Sequence, residues 1–238
     1  MRIIFLNSWF GKRGKPFFDF LKKESPYTEI LCLMEVSPDL FSKSSEILDD
    51  FRGIYETGGI LKSFEIIDGM AVFVKKGYEV LSNGKFFIYH NSCNDTGFAQ
   101  DITFEKSGKT VNLISVHGKS RPGHKKDTPA RLAQSRKIIE FFKEKKGMKI
   151  IGGDFNLLPD TRSIKMFEEA GYRNLVKEFN VKSTRNKFAW NQSKNEPGYV
   201  RQNFADYVFA SSDVKVDNFE VPYMEISDHL PLILEYEI

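Results

Sequence analysis

Short, continuously apolar runs recur along the whole chain, and each of them predicts a β-strand. Because neighbouring side chains in such a run are all apolar, the pattern indicates strands whose sheets are covered on both faces. The predicted strands are residues 3–6, 30–34, 71–74, 86–89, 111–116, 150–152, 207–210 and 232–236.

Helical periodicity is rarer than these runs and is dispersed between them. The chain contains no Pro-rich or Ser-rich linker, so we expect one domain that covers residues 1–238. Strands that outnumber scattered helices favour an α/β fold of two packed sheets flanked by helices over a doubly wound parallel sheet. The predicted helices are a segment that follows Pro16, a second over residues 132–142 and a third over residues 163–170.

Composition narrows the class of protein. The chain has 238 residues with 41% hydrophobic residues, enough for a sizeable core, and its net charge of +3 does not indicate a small protein that coats nucleic acid. Cys32 and Cys93 are too few for a disulfide framework, and Cys32 is expected to be a buried hydrophobic residue. No apolar stretch approaches the ~20 residues of a membrane span, and no signal-peptide core is present. We therefore expect a cytoplasmic protein without membrane association.

Polar residues that a core does not need follow several of the predicted strands. Carboxylates gathered in one site repel one another, and burial raises their pKa values unless a cation or a proton compensates. Carboxylate and amide oxygens are the ligands of hard divalent cations, which assist phosphate ester hydrolysis. The pattern therefore predicts a metal-dependent phosphodiesterase site. Its residues are Asn7, Glu35, His117, the stretch 153–156, Asp206 and the triplet 227–229.

Five short motifs contain most of these residues. They are Ile4-Phe5-Leu6-Asn7, Cys32-Leu33-Met34-Glu35, Gly153-Asp154-Phe155-Asn156, Asp206-Tyr207-Val208-Phe209-Ala210-Ser211 and Ser227-Asp228-His229-Leu230-Pro231. In this order and approximate spacing they resemble the motifs of the endonuclease/exonuclease/phosphatase superfamily, which has the deoxyribonuclease-I-like fold. The resemblance extends from Asn7 to the last strand. It implies a four-layer α/β/β/α sandwich of two mostly antiparallel sheets and a Mg²⁺- or Mn²⁺-dependent hydrolase.

The same resemblance implies roles on the metal side of the site. Glu35 is the expected oxygen ligand of the ion, Asn7 adds an amide oxygen, and Asp228 lies near the metal. Two positions depart from the family pattern. Trp9 stands where some DNA-cutting members carry an acid, and Met34 replaces a Gln beside Glu35.

On the phosphate side, the resemblance implies that Asp154 orients or deprotonates the attacking water. Asn156 is expected to hold that water or a phosphate oxygen. His229 is expected to contact the phosphate as the transition state forms, with Asp206 holding its ring and raising its pKa. His117 is expected to stabilise the phosphate as a second histidine.

Two cation-rich segments suggest a nucleic-acid substrate, and nothing indicates an obligate protein partner. Residues 119–126 carry four positive charges and no acid, and residues 182–201 mix cations with aromatic residues, which suits a neutralised backbone and stacked bases. Solvated loops, a small-molecule or lipid phosphoester (sphingomyelinase-like), a tyrosyl-DNA phosphodiesterase-like activity and a non-catalytic binding module are the alternatives. The expected substrate contacts are Trp9, Lys125, Lys126, Trp190 and Arg201.

Overall fold

The computed structural model describes residues 1–61, 66–89, 97–195 and 199–238, and within them two six-stranded sheets are present. Cys93 lies outside the described residues. The strands of the first sheet are β1 (Arg2–Asn7), β2 (Ile30–Met34), β3 (Phe51–Leu61), β4 (Ile66–Lys75), β11 (Lys215–Glu220) and β12 (Leu232–Glu237). Those of the second sheet are β5 (Glu79–Phe87), β6 (Phe98–Lys106), β7 (Lys109–His117), β8 (Met148–Asp154), β9 (Arg173–Asn174) and β10 (Asp206–Ala210).

Both sheets are mostly antiparallel, as expected, with one parallel pair in the middle of each. The first sheet has the order β11-β12-β1-β2-β4-β3, and β1 runs parallel to β2. The second has the order β5-β6-β7-β8-β10-β9, and β7 runs parallel to β8. The carboxyl ends of a parallel pair meet at one edge of a sheet. Each sheet therefore brings two strand ends together.

Helices cover the outer faces of the sandwich. Several begin with a side chain that accepts a hydrogen bond from the first turn, as Ser37 does from the Leu40 N–H at 3.2 Å. None of the helices in the described part of the chain is long and apolar enough to cross a membrane. The helices are α1 (Lys15–Glu24), α2 (Pro38–Ile47), α3 (Pro129–Lys143), α4 (Arg162–Glu169), α5 (Leu175–Glu178) and α6 (Lys187–Ser193).

The alternation of side chains along β1 shows how the layers form. Ile3 and Phe5 belong to the cluster shared by both sheets, whereas Ile4 and Leu6 belong to the cluster beneath α1 and α2. Successive side chains of a strand point to opposite faces, so a continuously apolar strand joins two hydrophobic clusters. The expected α/β/β/α sandwich is confirmed.

The two sheets contact each other where β8 carries a glycine. A Cβ added to Gly152 would lie 2.6 Å from the ring of Phe5, so the phenyl group occupies the space of the missing side chain. Phe5 is fully buried, and burial of such a side chain contributes ~1.5–3 kcal/mol. This contact fixes the distance between β1 and β8, whose ends both lead into the polar residues described below.

Candidate active site

The polar residues of the motifs lie together at one edge of the sandwich. Asn7 ends β1, Glu35 follows β2, and His117 and Asp154 end the parallel strands β7 and β8 in register with each other. Asp206 begins β10 directly opposite Asp154, and Asp228 and His229 precede β12. All of them except Glu35 are buried. Strand pairing thus brings together residues that are far apart in the sequence.

Asn7 joins the two sheets at the centre of this group. Its Nδ2 donates to Glu35 Oε1 at 3.0 Å and to Asp154 Oδ2 at 3.1 Å, while its Oδ1 accepts from the Trp9 N–H at 3.0 Å. The amide therefore presents N–H groups, and not its oxygen, to the two carboxylates. A role of Asn7 as an oxygen ligand requires this amide to turn, and it stays a prediction.

His229 and Asp206 form a buried couple. The Nδ1 atom of His229 lies 2.9 Å from both carboxylate oxygens of Asp206, and its Nε2 lies 3.7 Å from Asp154 Oδ2. Burial alone lowers the pKa of His229, but the charges of Asp206, Asp228 and Asp154 raise it to about 9. Burial also raises the pKa of the Asp206 carboxyl, against the opposing charge of His229. The result is an imidazolium whose Nε2 points to the centre of the site.

A second histidine–carboxylate pair lies across the site. The Nε2 of His117 is 3.7 Å from Glu35 Oε1, and its Nδ1 is 3.7 Å from Asp68 Oδ2. Burial lowers the pKa of His117, but the charges of Asp68, Glu35 and Asp154 outweigh burial and raise it. Sequence reasoning missed Asp68, which is fully buried in β4. Its signal in the sequence was an acid that directly follows the apolar residues Ile66 and Ile67. Acids are rarely buried without a partner, so an acid in an apolar strand indicates a charged group nearby.

The buried negative charge of Asp154 is offset by three neighbouring groups. Burial would raise its pKa, but the charges of His229, Lys125 and His117 lower it below the usual range. Its Oδ1 accepts from the backbone N–H of Asn156 at 2.8 Å, which closes the Gly-Asp-x-Asn turn. Asp154 is therefore an anion at neutral pH and suits the role of orienting a water molecule.

Asp228 is held by its neighbours in the chain and by a helix. Its Oδ1 accepts from the Ser227 hydroxyl at 3.2 Å, and its Oδ2 accepts from Gln192 Nε2 at 2.8 Å. Gln192 belongs to α6, a helix that is not among the three predicted from the sequence. The N-cap of this helix, Asn186, was its signal in the sequence, because asparagine is a favoured cap.

Backbone strain is concentrated at this edge. Five of the seven non-glycine residues with a positive φ in the described chain are site residues or their direct neighbours. Side chains avoid this conformation, so its persistence indicates that the surrounding contacts fix it, which is common at functional sites. The five are Trp9 (φ 49°), Phe10 (52°), Glu35 (54°), Lys125 (54°) and Asn156 (55°).

The carboxylate side of the site fits a hard divalent cation. Glu35 is half-buried, and its partial removal from water raises the pKa of its carboxyl to about 7. The charges of Asp228 and Asp68 act in the same direction, while His117 opposes them. A cation bound to Glu35 would offset this accumulated negative charge. Asp154, Asp206 and His229 also place three ligand atoms within 4.8 Å of one another. Because Asp206 holds His229 through both oxygens, the hydrogen bonds favour the Glu35 side for a metal.

The expected substrate contacts divide into two groups. Lys126 and Arg201 are exposed, and Arg201 covers one face of the half-buried Trp190 ring, with its Cζ 3.3 Å from the ring centroid. Trp9 lies beside the site through its hydrogen bond to Asn7. Lys125, expected on an exposed loop, is instead only 6% exposed. The reason is that its Nζ donates to Asn156 Oδ1 inside the site.

Comparison with known families decides the membership of the chain. Residues 5–229 match the model of the Endonuclease/Exonuclease/phosphatase family. The chain belongs to this family. It therefore has the family's phosphoesterase fold, and the resemblance recognised in the motifs is confirmed. A comparison with curated proteins finds no match.

Solved structures of this family share the fold at low identity. An endonuclease/exonuclease/phosphatase from Bacteroides vulgatus is 19% identical with a TM-score of 0.80, over 100% of this chain and 98% of that one. The human Nocturnin catalytic domain with a bound sulfate anion is 19% identical with a TM-score of 0.77, over 100% and 94% of the two chains. The Bacteroides thetaiotaomicron mannosyl-6-phosphatase is 15% identical with a TM-score of 0.75, over 100% of both.

Proposed function

We propose that this protein is a Mg²⁺- or Mn²⁺-dependent phosphodiesterase that acts on nucleic acid. The observation that carries the proposal is the convergence of Glu35, Asp154 and Asp228 with the His229–Asp206 couple at one edge of the sandwich. Phosphoester hydrolysis needs three kinds of group. They are carboxylates that bind a cation, an anion that orients the attacking water and an imidazolium that contacts the phosphate.

Each residue has a defined task in this proposal. Glu35 would hold the divalent ion with Asp228 nearby, and the ion would supply charge neutralisation on the phosphate oxygens. Asp154 orients the attacking water. His229, held by Asp206, donates to the phosphate as charge develops on it, and His117 supports the same group from the opposite side. Asn156 fixes the position of Asp154 through the turn that both residues share.

An aromatic and cationic surface next to the site supports a nucleic-acid substrate. The rings of Trp9 and Phe188 lie 6.4 Å apart, and the Arg13 guanidinium lies 4.1 Å from the centroid of Phe188. Single-stranded nucleic acid binds to such surfaces because bases stack on aromatic rings while cations contact the backbone. Residues 119–126 also contact the residue that directly follows the segment 182–201, since Gln202 Nε2 donates to the Gly123 carbonyl at 2.9 Å.

A small-molecule phosphoester is the second candidate. The burial of Lys125 favours it, because the ammonium of this residue donates to Asn156 within the site. The stacking of Arg201 on Trp190, like that of Arg13 on Phe188, also covers one face of the ring, which reduces the use of both rings as platforms for bases.

An activity panel tests the proposal. The wild-type protein and Glu35→Gln are assayed with Mg²⁺ and Mn²⁺ on single-stranded, duplex, abasic and 5′-phosphotyrosyl DNA, RNA, sphingomyelin, a sugar phosphate and bis-p-nitrophenyl phosphate. We expect cleavage of a nucleic acid by the wild type and a large loss in the variant. Turnover of the sugar phosphate or sphingomyelin alone would replace the first candidate by the second. No turnover of any ester would refute the catalytic proposal.

A further inference from the structure

A buried arginine holds residues 119–126 in one conformation. Arg131 in α3 is fully buried, and its guanidinium donates five hydrogen bonds of 2.7–3.2 Å to backbone carbonyl oxygens. The planar guanidinium binds several acceptors at once, so it ties this segment to α3. The acceptors are the carbonyl groups of Lys119, Ser120, Pro122 and Lys126.

This anchoring directs Lys125 into the site. Its backbone carbonyl accepts from the Leu158 N–H at 2.9 Å, and its Nζ donates to Asn156 Oδ1. An ammonium group has three donor hydrogens, and Asn156 accepts one of them. A charge is buried only where other charges or hydrogen bonds compensate it, and Asp154 and Asp206 are the anions that act on Lys125. The ammonium thus lies beside Asn156, in the turn that Asn156 shares with Asp154.

Arg185 brings a second cation to the same place. Its backbone forms a β-bridge with His229, so its side chain starts next to the imidazolium. The Nε atom of Arg185 is buried, and it has no hydrogen-bond partner among the residues that the structure describes. Buried donors in native proteins nearly always have a partner, so this N–H is a donor that the described residues leave unused.

We propose that Lys125 and Arg185 form a two-cation subsite that binds the non-bridging oxygens of the scissile phosphate. The inference rests on the proposed phosphoester hydrolysis and adds two catalytic residues to it. Lys and Arg that contact a phosphate stabilise the charge that develops in the transition state. The ligand class is therefore a phosphate ester anion, and the contacts are the same for a polymer and for a small ester.

The simpler alternative is a structural role, in which Lys125 only orients Asn156 and Arg185 only packs beside His229. The two roles differ in what they change. A phosphate contact changes both the turnover and the binding of free phosphate, whereas a purely structural contact changes folding stability without weakening phosphate binding.

The test compares Lys125→Met and Arg185→Met with two matched controls, Lys137→Met and Arg136→Met, which replace exposed cations on α3. Each Mg²⁺-loaded protein is assayed for kcat and KM on bis-p-nitrophenyl phosphate and for competitive inhibition by inorganic phosphate. Thermal unfolding shows which variants are folded. The charge-conserving variants Lys125→Arg and Arg185→Lys complete the set.

We expect kcat/KM to fall, and the inhibition constant of phosphate to rise, by about 10- to 100-fold in both Met variants, because hydrogen bonds to charged groups are lost. The controls keep wild-type values, and the charge-conserving variants retain more activity than the Met variants. If one Met variant does not fold, the proposal is tested by the charge-conserving variant at that position and by the Met variant at the other position. An active wild type with unchanged phosphate inhibition in the folded Met variants overturns the subsite alone. An inactive wild type overturns the proposed function and this inference with it.

Discussion

At the scale of single residues, the His229–Asp206 couple is the part of the site whose chemistry the geometry defines most closely. Two oxygens of Asp206 lie 2.9 Å from His229 Nδ1, so the imidazolium is oriented and its proton is stabilised. Removal of either residue abolishes both the orientation of the ring and the stabilisation of its proton. The pair is therefore expected to behave as one functional group.

Substitution of the couple tests this expectation. His229→Ala and Asp206→Asn are each expected to lower kcat by about 10²- to 10⁴-fold, the range typical of acid–base groups. The double variant should be little slower than the slower single variant, since residues that act as a unit are not additive. Steady-state kinetics on one phosphodiester measures all three variants. Losses that multiply in the double variant would show that the two side chains act independently.

The pH dependence gives a second view of the same couple. The pKa of His229 is raised to about 9 from its ordinary 6.5, so activity that needs imidazolium falls as pH rises through about 9. In Asp206→Asn the alkaline limb should move to lower pH, because the main attraction that raises the pKa is gone. A limb at the same pH in both proteins would contradict this assignment.

Stability follows the same sign. A pKa raised by folding contributes stability that is full below pH 6.5 and is lost as pH rises through about 9. The advantage of the wild type over Asp206→Asn in unfolding free energy should therefore shrink over that range.

At the scale of secondary-structure elements, the contact between β1 and β8 sets the spacing of the site. Gly152→Ala would place a Cβ 2.6 Å from the Phe5 ring, so we expect a loss of ~1–3 kcal/mol in unfolding free energy. Phe5→Leu removes the flat ring at that point and should partly restore the double variant relative to Gly152→Ala. Urea unfolding measures both proteins. A Gly152→Ala protein as stable as the wild type would show that the sheets adjust without strain.

The two cation-rich segments are tested by salt. Lys126 and Arg201 are exposed residues of these segments, and each phosphate contact that is removed should lower the slope of log binding constant against log salt by roughly 0.7–0.9. Binding of Lys126→Ala and Arg201→Ala to single-stranded DNA at several salt concentrations gives the slopes. Exposed Lys23→Ala on α1 is the matched control. A wild-type slope in both variants would show that these two side chains do not contact phosphate groups.

The apolar pattern of the sequence predicted the buried elements of the fold and missed elements that bury few apolar side chains. The buried strand β2 was predicted with its correct bounds, whereas the edge strand β5, with mostly exposed and half-buried residues, has too few apolar runs to be recognised along its length. Helix α2 has a Ser37–Pro38 start signal but a weak apolar stripe, and was missed. Local pattern reflects burial, so strands at sheet edges give the weakest signal.

The candidate site shows the same division. Motif spacing led to Glu35, Asp154, Asp206 and His229, which the fold does bring together, although their roles stay predictions. The contact of Asp68 with His117 and the inward direction of Lys125 could not be predicted, because they depend on packing across sheets and on the carbonyl contacts of Arg131. Such contacts have no local sequence pattern.

At the scale of the whole molecule, the acids and imidazoles of the candidate site lie at one edge of the sandwich. The central claim is that a divalent cation binds among them. Binding of a cation to the folded state also raises stability, by RT ln(1 + [L]/Kd). Glu35→Gln keeps the shape of the side chain and removes the charge that attracts the ion.

The most direct measurement is the rate of bis-p-nitrophenyl phosphate hydrolysis as Mg²⁺ is titrated into chelator-treated protein, with unfolding temperature recorded in parallel. The wild type should be inactive without metal, gain activity and thermal stability as Mg²⁺ is added, and lose both on renewed chelation. Glu35→Gln should remain folded and show neither response at the same concentrations. Full activity of the wild type in excess chelator, or a wild-type response in Glu35→Gln, would contradict the account.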